Sequence, residues 1–244
     1  MKKLAALSVI ALTLASSCGK KNKGDTPYTT DPTVPLVDLD TSPTTPPPHT
    51  DPGHPGHPTT PPDTPTRYCN KGVNDKEYPE GVHTSSGSQN GYDFGVGGGC
   101  LRLPIREVWA KLLNQKLMVW VDVDESTYLQ YSPPEHVSFF FTVNYVVHQI
   151  ITVDWDMDWY HTVKAGSKDA PVKILVNYKK VKGTSHISYW EGSIILDRVN
   201  DHVTSFAMKN QITADQTNAK DAEDAIKDVY GKMQTGAPDW DKLH

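Results

Sequence analysis

The strongest constraint on the fold is a run of alternating residues that extends from Phe139 to Val163. Most odd positions in this run are apolar or aromatic, whereas the even positions include Asp154, Asp156 and Asp158. A period of two is typical of a β-strand with one buried face. Because strands rarely exceed ten residues, we expect two strands joined near His148 to Ile150, or one strongly bent strand. In either case the aromatic residues share one face, and the three aspartates lie on the solvated face.

Strands and helices are also predicted on both sides of this run. Turn residues separate three later segments of strand character, which indicates a meander of antiparallel strands. Arg67 to Gly91 is rich in Gly, Ser, Asn and Pro, so we expect a loop-like lead-in there. The remaining predictions are a glycine-interrupted strand over 91–103, a second short helix or irregular segment over 115–129, and strands over 172–181, 185–199 and 203–214.

Two segments have the periodicity of amphipathic helices. The first follows Pro104, which the first turn of a helix tolerates, and its apolar face is formed by Ile105, Val108, Trp109, Leu112 and Leu113. The second closes the domain after a cap at Thr217 or Asn218. Its apolar face is formed by Ala222, Ile226, Val229 and Met233.

The N-terminus is typical of an export signal. Lys2 and Lys3 precede a short apolar run, which is too short to span a bilayer, and small residues then lead to Cys18. The tetrapeptide ending at Cys18 resembles the bacterial lipobox, which implies a signal peptide over 1–17 and acylation of Cys18, with palmitate among the attached chains. The alternative is ordinary secretion with cleavage near Ser17.

A spacer is predicted between Cys18 and the folded domain. The segment from Thr26 to Thr66 holds 13 of the 19 prolines and twelve threonines, with no lysine or arginine. Such a composition buries too little apolar surface to fold, so residues 18–66 are predicted to be a disordered Pro/Thr-rich stalk. By analogy with enteric lipoproteins, the absence of Asp after Cys18 favours the outer membrane of a bacterial envelope, facing the periplasm.

Several function classes lack support in residues 67–244. This part carries 19 Lys and Arg against 23 Asp and Glu with no basic stripe, which argues against nucleic-acid binding.

The histidines of the stalk, His49, His54 and His57, have no fixed geometry for a metal, so we predict no metal site and no cofactor. No Gly-x-Ser-x-Gly elbow is present. A pair such as His161 with Glu191 is the remaining acid–base candidate, and nothing in the spacing requires it, so we predict no catalytic residue.

Two cysteines remain once Cys18 is acylated. Cys69 and Cys100 form an even pair in an oxidising compartment, and neither belongs to a Cys-x-x-Cys redox motif. We therefore predict a disulfide that holds the lead-in against the first strand.

The order of elements and three short motifs resemble the START-related helix-grip superfamily. Leu103-Pro104-Ile105-Arg106-Glu107-Val108-Trp109 is similar to the strand-to-helix junction of that family. The segment 187–199, with Gly192 and the following Val203-Thr204, resembles its late strands, and 221–233 its closing helix. The glycine-rich run before Cys100 departs from the family pattern. The resemblance covers roughly 91–236 and implies an α+β domain over 67–244, in which a curved antiparallel sheet of about six to seven strands packs on a long C-terminal helix.

The same resemblance implies a ligand cavity between that helix and the sheet. Aromatic residues on the expected concave face are consistent with an apolar pocket, although core packing alone explains most of them. The predicted lining residues are Trp109, Phe141, Tyr145, Trp155, Trp159, Trp190, Phe206, Ile226 and Tyr230. We therefore expect an envelope lipoprotein that binds an apolar or amphipathic small molecule, such as a lipid. The alternative is a non-enzymatic interaction or structural module without a ligand, whose protein partner the sequence does not identify.

Replacing Cys18 tests the predicted lipid anchor. Because the thioether at Cys18 would carry the membrane-binding acyl chains, Cys18→Ala is expected to release the protein from membranes or to leave the signal uncleaved. Incorporation of a labelled fatty acid should also be lost. Equal labelling of the wild type and the variant would contradict the prediction.

Overall fold

The computed structural model describes residues 68–70, 78–120, 123–148, 151–215 and 217–243. Within these residues, eight strands and two α-helices follow one another in the order β1, β2, α1, β3 to β8 and α2. The strands are β1 (Gly81–Gln89), β2 (Tyr92–Leu101), β3 (Glu125–Tyr131), β4 (Phe139–His148), β5 (Thr152–Gly166), β6 (Pro171–Gly183), β7 (Ile187–Asn200) and β8 (Val203–Ala214). The helices are α1 (Ile105–Leu113) and α2 (Ala219–Thr235), and a short 3₁₀ helix follows at Trp240–Leu243.

The strands form one curved antiparallel sheet in the order β1-β2-β8-β7-β6-β5-β4-β3. Helix α2 packs on β1, β2 and β8, whereas α1 contacts β6, β7, β8 and α2. Both helices therefore cover the same, concave face of the sheet. The predicted α+β class, an antiparallel sheet against a long C-terminal helix, is confirmed.

The alternating run forms two paired strands, as predicted. In the register of β4 and β5, Phe141 lies opposite Trp159 and Tyr145 lies opposite Trp155. These four residues are buried on the concave face. The aspartates lie on the opposite face, where Asp158 accepts a hydrogen bond from Thr142 at 2.6 Å. Burial raises the pKa of Asp158 despite this bond.

The sheet has eight strands instead of the predicted six to seven, and β1 and β3 are the two that were not predicted. β1 occupies the segment expected to be a loop, and it pairs with β2 through a tight hairpin at Asn90 and Gly91, whose φ angles are 53° and 81°. Positive φ at both central residues is typical of a type I′ hairpin turn. β3 occupies the end of the segment predicted to be helical or irregular, and it forms the other edge of the sheet. β1 was not predicted as a strand because it is rich in small polar residues. β3 was not predicted because it is largely exposed and lacks the alternation that is typical of a half-buried strand.

The glycine-rich segment forms the uninterrupted strand β2, and its glycines let α2 approach closely. A Cβ atom at Gly95 would lie 2.6 Å from the Ala222 carbonyl oxygen of α2. At Gly97 a Cβ would lie 3.2 Å from the Ile226 side chain. The glycine at position 95 therefore has a packing function, because a side chain there would separate the helix from the sheet.

Helix α2 begins at a capping box. The Asn218 side chain accepts from the Lys220 backbone N–H, and Asp221 accepts from the Asn218 backbone N–H, each at 2.9 Å. These bonds satisfy donors that the first turn of a helix leaves without partners. Of the two predicted caps, Asn218 is therefore the one used.

A pair of glycine substitutions tests the close packing of α2. Gly95→Ala places a methyl group against the helix backbone and is expected to destabilise the fold by about 1–3 kcal/mol. Gly231→Ala is the matched control, since a Cβ on this helical glycine meets nothing within 4 Å. It is expected to stabilise the protein by about 0.5–1 kcal/mol through helix propensity. Thermal and urea unfolding measure both changes, and equal effects would contradict the packing argument.

The predicted disulfide is present between Cys69 and Cys100, whose Cα atoms are 4.7 Å apart. Beside it, a Cβ at Gly98 would lie 2.8 Å from the Tyr68 ring, so this ring packs directly on β2. The Tyr230 hydroxyl of α2 donates to the Cys100 carbonyl at 2.5 Å and accepts from the Gly81 backbone N–H at 2.9 Å. The disulfide, β1 and α2 thus meet at one place.

Reduction of Cys69–Cys100 is expected to lower the melting temperature. The bridge closes a loop with a sequence separation of 31, for which the chain-entropy model gives about 3–4 kcal/mol. Hydrogen exchange should show faster opening of the segment around Tyr68 and of β1, with β4 to β7 less affected. An unchanged melting temperature after complete reduction, verified by thiol counting, would refute this role.

Candidate ligand-binding site

All nine predicted ligand-binding side chains are buried in the main core of the domain. They do not form one pocket under α2, because different elements cover different members. Three groups can be distinguished. The first lies where α2 packs on the sheet and comprises Phe206, Ile226 and Tyr230. The second comprises Trp109 of α1 with Phe141 and Trp159, and the third, near the segment that follows α1, comprises Tyr145, Trp155 and Trp190.

The group under α2 stabilises the helix–sheet contact. The Phe206 and Tyr230 rings meet edge to face with centroids 5.7 Å apart. The Ile226 side chain would lie 3.2 Å from a Cβ atom at Gly97 of β2. Since the Tyr230 hydroxyl is bound to two backbone groups, we assign Tyr230 a structural role.

The group under α1 is centred on His161. Its ring is completely buried, and its Nδ1 accepts a hydrogen bond from the Trp109 indole at 3.2 Å. Phe141 packs against both His161 and Trp159, with ring centroids 5.3 Å and 6.2 Å away. Burial lowers the pKa of His161 to about 3, so the ring is neutral near pH 7. Because Nδ1 is the acceptor, the single proton of the neutral ring lies on Nε2.

The third group lies under residues 114–120, which we call the covering segment. Trp155 packs between Tyr145 and Trp190, with ring centroids at 5.3 Å and 5.9 Å. Trp120 of the covering segment lies over Trp190 at 5.1 Å. Trp120 was not among the predicted site residues, because its segment has no helical or strand periodicity.

Polar contacts hold the covering segment against α2 and the sheet. The Tyr145 hydroxyl donates to the Met118 carbonyl at 2.9 Å. Lys232 of α2 donates to the Val119 carbonyl at 2.6 Å and pairs with Asp228. At the base of the segment, buried Lys111 donates to the Met233 carbonyl at 2.9 Å. These bonds fix the backbone of the covering segment but leave the Trp120 indole N–H without a partner.

Four buried N–H groups on the concave side have no hydrogen-bond partner among the described residues. They belong to the indoles of Trp120, Trp155 and Trp159 and to Nε2 of His161. The Trp159 indole N–H is directed toward the Tyr145 hydroxyl without reaching hydrogen-bond geometry. A buried donor without a partner costs about 1–3 kcal/mol, so such groups are uncommon unless something binds them.

The main side-chain acceptor beside these donors is already occupied. The Asn210 Oδ1 atom accepts from the Tyr178 hydroxyl at 2.9 Å and from the Trp190 indole at 2.8 Å. Burial raises the pKa of Tyr178 well above its usual value, which keeps this hydroxyl a donor. Trp190 therefore differs from Trp155, whose ring it contacts, in having a satisfied N–H.

The acid–base pair considered from the sequence does not form. His161 lies on the concave face, whereas Glu191 follows the concave residue Trp190 and so lies on the other face of the sheet. Among the described residues, no group of three or more His, Cys, Asp or Glu side chains is arranged to hold a metal ion. His49, His54 and His57 lie outside the described residues.

A pocket of about 340 Å³ lies away from the aromatic face. It is lined by Asn114 to Lys116 and by Pro238 to Asp241, which connect α1 and α2 to the segments that follow them. Its lining is mainly polar, so it differs from the predicted apolar cavity. None of the helices in the described ranges combines the length and apolar character that crossing a bilayer requires.

No protein-family model and no curated protein sequence matches the chain. Solved structures with a similar fold include the lipid transfer and protein localization domain of human StarD13, with a TM-score of 0.47 and 6% identity over 68% of this chain and 85% of that one. A STAR-related lipid transfer protein from Xanthomonas axonopodis has a TM-score of 0.41 and 13% identity over 68% and 96% of the two chains. The Zhui aromatase/cyclase from Streptomyces has a TM-score of 0.35 and 7% identity over 67% and 92%. The helix-grip class of this chain follows from its own strand order and from the packing of α2 on β2.

Proposed function

We propose that the chain is a lipid-anchored protein of the bacterial cell envelope whose helix-grip domain binds an apolar or amphipathic small molecule, such as a lipid. The observation that supports ligand binding is the set of buried N–H groups without partners, those of Trp120, Trp155 and His161, on an aromatic face. A core built only for stability would pair these donors or replace them with carbon. A ligand that accepts hydrogen bonds would recover their cost.

The proposed location differs from the one expected under α2. Gly95 and Gly97 bring α2 into direct contact with β2, which leaves little space there. The unpartnered donors lie instead near α1 and the covering segment. We therefore place the ligand against Trp155, Trp159 and His161, with the covering segment above it.

The sequence supports the proposed lipid anchor and the proposed location in the cell envelope. Residues 1–17, Cys18 and the stalk lie outside the described residues. Lys2, Lys3, the short apolar run and the lipobox-like residues support acylation at Cys18. A stalk of this composition would hold the ligand-binding domain at a distance from the outer membrane, in the periplasm.

Native mass spectrometry of the protein purified from its own envelope tests the ligand. We expect a population heavier than the acylated chain, whose extra mass is lost under denaturing conditions and recovered in an organic extract. Trp155→Phe should reduce this population and should lower the stability of the ligand-free protein less than Trp190→Phe does, because both variants lose ring volume but only Trp190 also loses a hydrogen bond. Trp190→Phe is the control, since it breaks the bond to Asn210 and should lower stability.

An absence of bound small molecules, together with no uptake of fatty acids, esters or ketones by the purified protein, would contradict ligand binding. A loss of stability in Trp155→Phe that equals the loss in Trp190→Phe would also count against it. In that case the Trp155 indole would have a structural partner.

Protein docking is a second candidate function, and the edge strand β3 favours it. Leu129 and Tyr131 are 47% and 49% exposed on this strand, and within the part of the chain that the structure describes no strand pairs with the outer edge of β3. Tyr131 continues into a row of rings with Phe140 and Tyr160 on the outer face of the sheet. A stoichiometric protein partner in the same native mass spectra, without any small-molecule mass, would favour this function.

A further inference from the structure

Two buried apolar residues lie on the outer face of the sheet, away from both helices. Leu175 of β6 and Ile195 of β7 are opposite each other in the register and are only 3% and 5% exposed. They belong to neither cluster of the hydrophobic core, because their strand neighbours Val176 and Ile194 are the residues that face the concave side. By contrast Leu129, on the outer face of β3, is 47% exposed. The burial of Leu175 and Ile195 therefore indicates a cover on the outer face.

Polar side chains next to this pair are buried as well. Asn177 of β6 and Ser193 of β7 form the adjacent pair on the same face, and both are buried. The Oδ1 atom of Asn177 has no hydrogen-bond partner among the described residues. Helices α1 and α2 pack on the concave face, so neither supplies the missing donor. The cover is therefore expected to bring a hydrogen-bond donor to the outer face.

Tyr68 lies at one end of a row of residues that leads to the buried pair. The row crosses four neighbouring strands on the outer face, and its members, which we call the outer row, are Gly98, Ala207, Ile195 and Leu175. The Tyr68 ring packs on Gly98, where a Cβ atom would lie 2.8 Å from the ring. The chain that precedes Tyr68 thus starts at the β2 end of the outer row.

We propose that residues 61–67, with the sequence Pro-Pro-Asp-Thr-Pro-Thr-Arg, lie across the outer face along the outer row and cover Leu175 and Ile195. These seven residues lie outside the described residues. Gly98 and Leu175 are three strand spacings apart, or about 14 Å. A polyproline II chain rises about 3.1 Å per residue, so about five residues before Tyr68 reach β6. Residues 18–60 remain as the predicted spacer.

The composition of residues 61–67 suits this surface. Three of the seven residues are proline, whose rings pack on apolar side chains. Because proline fixes its own φ angle, such a segment loses little conformational entropy when it docks. The hydroxyl groups of Thr64 and Thr66 are hydrogen-bond donors, which is what Asn177 Oδ1 lacks.

The charges of the segment occur in the order that complements the sheet. On the outer face, Asp197 of β7 and Lys173 of β6 are opposite each other beside the buried pair. A chain that runs from β2 toward β6 therefore passes a negative charge before a positive one. Going away from Tyr68, the segment presents Arg67 first and Asp63 four residues later. Each charge of the segment thus comes to the strand that carries the opposite charge.

Residues 71–77 are the other segment close to this face. They are held near β2 at both ends, since Cys69 is bonded to Cys100 and the Arg102 side chain donates to the Tyr78 carbonyl at 3.0 Å. A loop that returns to its starting point covers less of the outer row than a chain that is fixed at one end only. We therefore assign the cover to the segment that precedes the disulfide.

Proline substitutions in the whole mature chain test the proposal. All proteins comprise residues 18–244 with Cys18→Ser, so that no acyl chain is attached. The test variant carries Pro61→Ser, Pro62→Ser and Pro65→Ser. The control variant carries Pro46→Ser, Pro47→Ser and Pro48→Ser, which removes the same number of rings from the spacer outside the proposed contact.

Methyl NMR with a soluble paramagnetic agent measures the exposure of single side chains. Ile194, which is fully buried, and Leu129, which is exposed on the outer face, are the references. In the unsubstituted chain and in the control variant, the Leu175 and Ile195 methyl signals should broaden as little as Ile194. In the test variant they should broaden severalfold more and approach Leu129, while Ile194 stays protected and shows that the domain is folded. Nuclear Overhauser effects from these methyl groups to proline ring protons should be lost in the same variant.

Three outcomes would overturn the proposal. If Leu175 and Ile195 stay protected in the test variant, then the strands themselves or residues 71–77 bury them. Protection that disappears when the unsubstituted chain is diluted would assign the outer face to a second copy of the chain. Full exposure of both methyl signals in the unsubstituted chain would show that nothing covers the face. None of these outcomes bears on ligand binding at the concave face, which the native mass spectra test separately.

Discussion

The packing of α2 on the glycines of β2 is the contact on which the rest of the domain depends. With hydrogen atoms as the only side chains at Gly95 and Gly97, the helix backbone approaches the sheet until a methyl group would no longer fit. This contact places Tyr230 where it bonds to Cys100 and Gly81, and so connects α2 to the hairpin of β1 and β2. Lys111 and Lys232 then attach α1 and the covering segment to the second half of α2. The segments that cover the aromatic face are therefore positioned by a strand in which four of the ten residues are glycine.

Buried polar groups are hydrogen-bonded near α2, whereas several of them lack partners near α1 and the covering segment. Near α2, side-chain donors and acceptors are matched, as in the bonds of Tyr230, Asn210 and the capping box. Near α1 and the covering segment, Trp120, Trp155 and His161 retain donors without partners. The Oδ1 atom of Asn177 on β6 is also buried without a partner, so the unpaired groups are concentrated near α1 and the covering segment but are not confined to that region. The unpaired donors cost a few kcal/mol, which packing elsewhere in the domain compensates.

The sequence predicts the middle of the sheet well, for a definite physical reason. β4 and β5 each have one buried face, so their residues alternate, and the pairing of Phe141 with Trp159 follows once the turn is placed. β3 is largely exposed and lacks that alternation, and β1 consists of small polar residues. The Asn90-Gly91 turn was a usable signal for β1, but the composition around it favoured a loop.

The candidate site was predictable only in part. Periodicity indicates which aromatic residues face inward, but a single strand pattern does not show which indole N–H finds an acceptor. Trp155 and Trp190 look alike in sequence, and only the position of Asn210 makes them different. Trp120 comes from a segment without periodicity, so its place over Trp190 depends on tertiary contacts through Lys232 and Met118.

The disulfide also determines how a mechanical load would enter the domain. A chain pulled from its N-terminus transmits force along the backbone to Cys69, and the S–S bond passes it directly to Cys100 in β2. The residues between the two cysteines, including the edge strand β1, then form a loop that carries none of the force. Because β2 is paired on both sides, by β1 and β8, the load falls on an internal strand that also contacts α2. Tension applied through the N-terminus would thus bypass the edge strand β1, which would otherwise be the first to separate from the sheet.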